Sequence, residues 1–301
     1  MLISTKDKDA ILKIAKDFKL PKKDAHKGDN GKVLIIGGSS LFHSASIWAA
    51  EMASHIVDMV HYSSTEENNE ILTSIKKKFI NGIVIERKNI LDYVKEDDSI
   101  LIGPGMVRGE KRELVENLNF DEITSLKDEA DYTRSLINYL IRHYPEKRFV
   151  FDAGALQMMD KEWLLELKEK PILTPHSIEF ERLFEISIKN EPELKKEKLV
   201  KETAKKYNCV ILFKSVKDII SDGDGVYIIE GGNAGLAKGG SGDILASLAC
   251  SFYAKNDSLL SGVLASWIIK KTGDELFLKH GYWYNISNII DAIPNTLRIL
   301  L

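Results

Sequence analysis

The stretch Lys32-Val33-Leu34-Ile35-Ile36-Gly37-Gly38-Ser39 indicates the fold class. It is an unbroken run of aliphatic residues, and strands of this kind are buried on both faces, as in a parallel sheet. The two glycines that close the run indicate a sharp turn, which leads into a helix that we predict over residues 44–57. The sequence therefore begins as a strand–turn–helix unit, the repeating element of α/β proteins.

The same alternation continues along the chain. We predict further strands at residues 59–63, 82–85, 99–102, 148–152, 171–176 and 209–214, and a β-hairpin at residues 218–229. We predict further helices at residues 10–20, 70–78, 89–95, 132–143 and 259–276. This order predicts an α/β fold with a mainly parallel central sheet covered by helices on both faces. We expect residues 1–301 to form a single domain, with residues 1–25 as an N-terminal helical extension.

Composition excludes several classes of protein. The 301 residues are 44% hydrophobic and 29% charged, which suits a soluble protein with a large core. The net charge of −3 and the lack of a long basic tract argue against nucleic-acid binding. No apolar run reaches the roughly 18–20 residues of a membrane span, and the charged N-terminus is unlike a signal peptide. Two cysteines suit a reducing compartment, so we expect a cytoplasmic protein.

A second stretch concentrates the glycines: Gly231-Gly232-Asn233-Ala234-Gly235-Leu236-Ala237-Lys238-Gly239-Gly240-Ser241-Gly242-Asp243. An apolar helical pattern follows it directly. Glycines let backbone N–H groups turn towards a ligand, and a helix start adds unpaired N–H donors, so the stretch predicts an anion site. Asp243 is compatible with two roles, a helix N-cap or a base beside a phosphoryl group.

Glycines and polar residues gather where the predicted strands end, which is the edge at which open α/β sheets bind ligands. Gly37-Gly38-Ser39 and Gly103-Pro104-Gly105 are compatible with ordinary tight turns or with such a site. Neither matches the Gly-x-Gly-x-x-Gly dinucleotide pattern, and the Walker A pattern is also missing from the sequence. If a nucleotide binds, it binds in another way.

Three more polar side chains follow strands at this edge. His176 and Glu179 lie three apart, and either Thr174 or Ser177 caps a helix with Glu179, or the pair faces a phosphate and its Mg²⁺. Lys214 ends the strand at residues 209–214. It either extends to water or reaches a phosphate.

Taken together and in this order, these motifs resemble the NAD(P)H-hydrate dehydratases, which are ribokinase-like enzymes. The resemblance rests on four segments: Lys27-Gly28-Asp29 to Gly38-Ser39, Ile102 to Gly105, Thr174-Pro175-His176 to Phe180, and Asn233 to Asp243. It continues to the segment Ile289-Ile290-Asp291-Ala292-Ile293-Pro294. Many members carry a separate N-terminal epimerase domain, for which the residues before His26 leave no room, so we expect a standalone dehydratase.

The resemblance implies an activity. Family members use ADP or ATP to phosphorylate the C6 hydroxyl of the S-form of NADHX or NADPHX, and loss of phosphate restores NADH or NADPH. The chemistry requires a base, charge neutralisation and an anion hole. Mg²⁺ and the nucleotide are the implied cofactors. The sequence does not choose between ADP and ATP, or between NADHX and NADPHX.

The resemblance also implies a role for each matching residue. Asp243 would be the catalytic base, with Gly240 and Gly242 in the anion hole. The hydrate would contact Ala45, Gly105, His176 and Asp243, and Glu179 would act on Mg²⁺ through water. The nucleotide would contact a larger set: Lys214, Ser215, Val216, Lys217, Asp218, Asn233, Gly239 and Gly242.

Three positions depart from the family pattern: Ser215 and Val107 replace usual glycines, and Gly154 replaces a common acid. Two other functions stay open, a ribokinase-like kinase of a small alcohol or vitamin precursor and a nucleotide-binding protein without catalysis. By analogy with the family we expect a homo-oligomer, with the helix at residues 44–57 either at an interface or covering the sheet.

Overall fold

A ten-stranded sheet forms the centre of the molecule in the computed structural model, which describes residues 1–74, 81–107, 111, 113–115 and 118–301. The strands, in chain order, are β1 (Leu2–Ser4), β2 (Lys32–Ile36), β3 (Met59–Ser63), β4 (Ile83–Val84), β5 (Ser99–Ile102), β6 (Arg148–Phe151), β7 (Ile172–Leu173), β8 (Val210–Phe213), β9 (Lys217–Ser221) and β10 (Val226–Glu230). Their spatial order is β1-β10-β9-β8-β7-β6-β5-β2-β3-β4. Only β9 runs against its neighbours among these strands, so the prediction of a mainly parallel sheet is confirmed.

Twelve α-helices surround this sheet within the described ranges. They are α1 (Lys8–Ile14), α2 (Ser44–Ser54), α3 (Glu66–Ser74), α4 (Ile90–Glu96), α5 (Phe120–Thr124), α6 (Glu129–His143), α7 (Ala153–Met158), α8 (Ser177–Phe184), α9 (Glu193–Lys206), α10 (Ser241–Tyr253), α11 (Ser258–His280) and α12 (Ile286–Leu297). The helix predicted over residues 70–78 is present as α3 up to Ser74, and its remaining residues lie outside the described part of the chain.

Two apolar cores lie on the two faces of the sheet, because successive side chains of a strand point to opposite faces. In β2, Val33 and Ile35 pack with α2 and with α10–α12, while Leu34 and Ile36 pack with α4 and α6. The continuous aliphatic run is therefore explained by burial on both sides. The buried alanines of α2 cover the first face.

The N-terminal residues differ from the predicted helical extension. The helix predicted over residues 10–20 is shorter, and strand β1 precedes it at the edge of the sheet. Leu2 pairs with Ile228 and Ser4 with Glu230 in a parallel ladder beside β10. A three-residue strand has too short a pattern to be recognised, and its partner lies more than 220 residues away.

The sheet changes direction of winding at β2. The chain passes from β2 to β3 on one side, and β5 lies on the other side of β2. Open α/β sheets bind ligands at this switch point, outside the carboxyl ends of the strands. The loops that follow β2 and β5 are the two glycine turns found in the sequence, so the fold places both of them at a binding crevice.

Backbone contact at the crevice requires glycine at position 103. Gly103 has a φ of 126°, and a Cβ atom there would overlap the carbonyl oxygen of Asp152. We therefore predict that Gly103→Ala lowers the free energy of unfolding by about 2–4 kcal/mol, the combined scale of backbone strain and overpacking. Urea denaturation measures this change.

A matched glycine variant is the control for that measurement. A Cβ atom at Gly225 would meet only the Tyr227 ring, at 3.4 Å, so Gly225→Ala is expected to change stability by less than about 1 kcal/mol. Equal effects of the two substitutions would show that close backbone packing does not hold the crevice.

Candidate active site

The glycine-rich stretch forms a 3-10 turn, Ala234–Ala237, followed by α10. Gly240 is the N-cap of α10, with a φ of 108°. Asp243 is consequently the third residue of the helix, in its first turn, so of its two possible roles the N-cap is not the one that the structure shows. The Ser241 hydroxyl fixes the turn by donating to the carbonyl oxygens of Leu236 at 2.5 Å and Lys238 at 2.6 Å.

Open space surrounds part of this loop. A Cβ atom at Gly239 would have no heavy atom within 4 Å, and one at Gly242 would meet only the Lys214 Nζ, at 3.5 Å. A Cβ at Gly240, in contrast, would lie 2.8 Å from the Trp48 ring, so α2 supports the loop from behind. The start of α10 thus has open space in front of its first backbone N–H groups, which suits the predicted anion site.

The Lys214 ammonium joins three elements at the carboxyl edge of the sheet. Its Nζ donates to Asp152 Oδ1 at 2.8 Å and lies 3.6 Å from Glu179 Oε2. Both carboxylates are about 2% exposed. Burial lowers the pKa of Lys214, but attraction to Asp152, Glu179 and Asp243 outweighs it, and the pKa lies above the usual 10.5. The lysine therefore stays charged beside Gly242.

Asp152 and Thr174 are site residues that the sequence analysis did not assign. The Thr174 hydroxyl donates to Asp152 Oδ1 at 2.8 Å, which orients the carboxylate towards Lys214. Asp152 follows β6 and Thr174 follows β7, so both stand at the carboxyl edge. The sequence contained one sign of this role for Asp152, namely an acidic residue directly after a buried strand.

His176 and Glu179 form a capping box at the start of α8. His176 Nδ1 accepts hydrogen bonds from the N–H groups of Ile178 at 3.1 Å and Glu179 at 3.3 Å, and Glu179 Oε2 accepts one from the His176 N–H at 2.9 Å. The cap is therefore His176, and the alternative of Thr174 or Ser177 as the cap is not what the structure shows. Because Nδ1 accepts, the proton is on Nε2 of a partly exposed ring.

The segment predicted to contact the nucleotide, residues 214–218, forms a turn that the Asp218 carboxylate stabilises. This buried carboxylate accepts from the Ser215 N–H at 2.9 Å and from the Ser266 hydroxyl at 2.7 Å. Lys270 donates to the Val216 carbonyl at 2.9 Å. Burial raises the pKa of Asp218, against the attraction of Lys270. Asp218 thus shapes the turn, while the Val216 side chain is exposed.

Two other predicted nucleotide residues are engaged within the protein. Asn233 Oδ1 accepts from the Gly235 N–H at 2.9 Å and the Tyr284 hydroxyl at 2.8 Å, and its amide donates to the Gly273 carbonyl at 2.7 Å. Lys217 pairs with Glu230 at 2.9 Å across the hairpin. These contacts fix the positions of Asn233 and Lys217 within the protein. That either residue contacts a nucleotide stays a prediction.

Gly105 and Ala45, predicted to touch the hydrate, lie together at the switch point. A Cβ atom at Gly105 would lie 3.1 Å from the Ala45 Cβ, and Gly105 has a φ of 71°. The departure at Gly154 has a steric reason, because a side chain there would meet the Met106 backbone at 2.6 Å. Nothing in the structure explains Ser215 or Val107 in place of glycine.

A metal site built from side chains alone is not present in the described residues, where no group of three or more His, Cys, Asp or Glu could hold an ion. Asp152 and Glu179 still suit Mg²⁺, because Mg²⁺ binds proteins through one or two carboxylates together with waters and substrate phosphates. Within the same described ranges, no helix is both long and apolar enough to cross a membrane.

The sheet order, the glycine loop and the helices on both faces define a ribokinase-like α/β fold. The fold matches the crystal structure of the ADP/ATP-dependent NAD(P)H-hydrate dehydratase from Bacillus subtilis co-crystallised with ATP/Mg²⁺. That match has a TM-score of 0.78 and 20% sequence identity, and it covers 98% of each chain.

Family comparison is more specific. The model of the NAD(P)H-hydrate dehydratase family matches residues 33–295, and the chain belongs to this family. It is 31% identical over 284 residues to a bifunctional NAD(P)H-hydrate repair enzyme from Methanocaldococcus jannaschii, covering 92% of this chain and 50% of that protein. It is 28% identical to an ADP-dependent (S)-NAD(P)H-hydrate dehydratase from Cenarchaeum symbiosum, with 92% of both covered. The chain thus spans about half the length of its bifunctional relatives.

The Lys214 ion pairs give a stability prediction. Lys214→Met leaves two buried carboxylates without their cation, so we expect the free energy of unfolding to fall by about 3 kcal/mol at pH 7. Since the folded-state pKa of Lys214 is raised, its stabilisation is complete below pH 10.5 and is lost only as the pH rises through the raised pKa. Urea denaturation at pH 7, 8 and 9 should show a constant difference from the unsubstituted protein.

Lys205→Met is the matched control. The Lys205 ammonium is exposed, 3.9 Å from Asp224, so this change is expected to leave stability within about 0.5 kcal/mol. A Lys214→Met protein as stable as this control would contradict the ion-pair account.

Proposed function

We propose that the protein uses ADP or ATP to dehydrate the S-form of NADHX and NADPHX to NADH and NADPH. One observation carries the proposal. The Lys214 ammonium, the open backbone at Gly242 and the first-turn carboxylate of Asp243 lie together at the carboxyl edge of the sheet. They are a cation, an anion hole and a base, the three groups that phosphoryl transfer to a hydroxyl requires.

Asp243 accepts the proton of the C6 hydroxyl as that oxygen attacks the terminal phosphoryl group of the nucleotide. The N–H groups at Gly239, Gly240 and Gly242 hold the transferring group, and Lys214 neutralises its charge. Phosphate then leaves with the C–O bonding pair, and water takes the neighbouring C5 proton, whose bonding pair forms the C5–C6 double bond. Phosphorylation is needed because phosphate is a much better leaving group than hydroxide.

The ligands occupy two sides of the site in this proposal. Ala45, Gly105 and His176 contact the hydrate, and the protonated Nε2 of His176 can donate to it. The nucleotide contacts Lys214 and the turn that Asp218 supports, including Ser215, Val216 and Lys217. Asn233 and Gly239 complete that side.

Glu179 and Asp152 would hold Mg²⁺ through water molecules, next to Lys214. When bound, the ion supplies additional positive charge to the phosphates. The co-crystallisation of the Bacillus subtilis relative with ATP/Mg²⁺ is consistent with a role for Mg²⁺ beside the nucleotide.

Three wider features belong to the same proposal. A single domain over residues 1–301 is supported by β1, which extends the common sheet. A reducing compartment such as the cytoplasm suits Cys209 and Cys250, which are buried and free. Assembly into a homo-oligomer rests on family analogy alone. The helix α2, which was a possible interface, uses its buried face to cover the sheet.

The direct test is incubation with NADHX and either ADP or ATP. We expect the absorbance of reduced nicotinamide to return, together with release of inorganic phosphate. A stable phosphorylated product without NADH would instead support a small-alcohol kinase, and failure with both nucleotides would refute the dehydratase proposal.

Asp243→Asn tests the base. We expect turnover to fall by about 10² or more, the scale of general-base loss, while nucleotide binding measured by calorimetry is kept. Asp224→Asn, in an exposed turn, is the matched control and should leave turnover unchanged. Normal turnover in the Asp243→Asn protein would exclude Asp243 as the base.

A further inference from the structure

Residues 39–43 form a loop that exposes two large apolar side chains. Leu41 is 75% exposed and Phe42 is 44% exposed, although the loop closely follows a strand whose last four residues are buried. Exposed apolar side chains are common on protein surfaces and carry no argument singly. Leu41 and Phe42 differ from such residues, because their loop has a fixed conformation and lies beside the crevice.

The buried side chain of Asn68 holds the loop at both ends. Its Oδ1 lies 2.5 Å from His43 Nδ1 at the end of the loop, and its Nδ2 donates to the Ser39 carbonyl at 3.2 Å at the beginning. The Ser39 hydroxyl accepts from the Phe42 N–H at 3.2 Å. The loop is therefore organised before a ligand arrives, and its exposed residues are held in a defined position.

The loop stands at the switch point of the sheet. A Cβ atom at Gly105 would lie 2.9 Å from the Phe42 carbonyl oxygen and 3.1 Å from the Ala45 Cβ, so the loop borders the turn after β5. The helix α2 begins directly after the loop, and its Trp48 ring contacts the N-cap of α10. The loop thus adjoins the crevice that ends at the anion hole and Asp243.

Charge distinguishes this part of the crevice from the phosphate side. Leu41, Phe42, Ala45, Gly105 and Met106 carry no charge, whereas Lys214 and Asp152 lie near the anion hole. The uncharged residues beside the loop suit an uncharged ring, and the charged residues near the anion hole suit phosphates. The reduced, hydrated nicotinamide ring is uncharged.

We propose that residues 39–43 bind the nicotinamide-derived ring of the hydrate, with Phe42 packed against the ring and Asn68 as the residue that positions the loop. This inference rests on the proposed function and extends it to a specific contact. It also gives the loop a chemical role. Water that reaches C6 during elimination would restore the hydrate, so an apolar cover over the ring favours NADH formation.

Steady-state kinetics of the full chain test this contact. The unsubstituted protein is first assayed with NADHX and ADP, because failure at that stage concerns the proposed function and not the loop. In Phe42→Ala we expect the KM for NADHX to rise roughly tenfold, the upper range for loss of an aromatic contact, with the KM for ADP changed by less than about twofold. Phe42→Tyr keeps the ring and should restore the original KM.

Leu165→Ala is the matched control, since Leu165 is also an exposed apolar residue but precedes β7 at the opposite edge of the sheet. It should leave both KM values unchanged. An unaltered KM for NADHX in Phe42→Ala would overturn the proposal. So would equal increases in the KM for NADHX and for ADP, because they would indicate a structural effect on the whole site.

Discussion

The charge of Lys214 is the constraint on which the carboxyl edge depends. Two carboxylates, Asp152 and Glu179, are removed from water there, and removing a carboxylate from water without a partner is costly. One ammonium group compensates both and holds the ends of β6, α8 and β8 together. The same group lies at the open backbone of Gly242. The interaction that stabilises the site therefore also places positive charge where a phosphoryl group would lie.

Close backbone contacts give the crevice its shape. Gly103 lies against the Asp152 carbonyl, Gly105 against Phe42 and Ala45, and Gly240 against the Trp48 ring. Side chains at these positions would separate the loops from one another. The glycines of this edge thus have two physical uses, since some permit packing between loops and others, such as Gly239, leave space for a ligand. The sequence shows where glycines concentrate, but only the structure separates these uses.

Most of the sheet could be predicted because its strands are continuous apolar runs, and β3 and β5 have the predicted bounds. The two-residue extent of β7 and the pairing of β1 depend on distant neighbours, which local patterns do not show. In the site, too, some features could be predicted from local motifs and others depend on distant residues. Motif positions brought Lys214, Gly242 and Asp243 together as expected, whereas the internal bonds of Asn233 and Asp218 depend on Tyr284 and Ser266 in later helices or loops.

A crystal structure of the protein with ADP and Mg²⁺ would show whether the Lys214 ammonium and the start of α10 form one phosphoryl-binding site. We expect the terminal phosphate within hydrogen-bonding distance of both the Lys214 Nζ and the Gly242 N–H, with Asp243 facing the crevice at the switch point. A nucleotide whose phosphates contact neither group would contradict it.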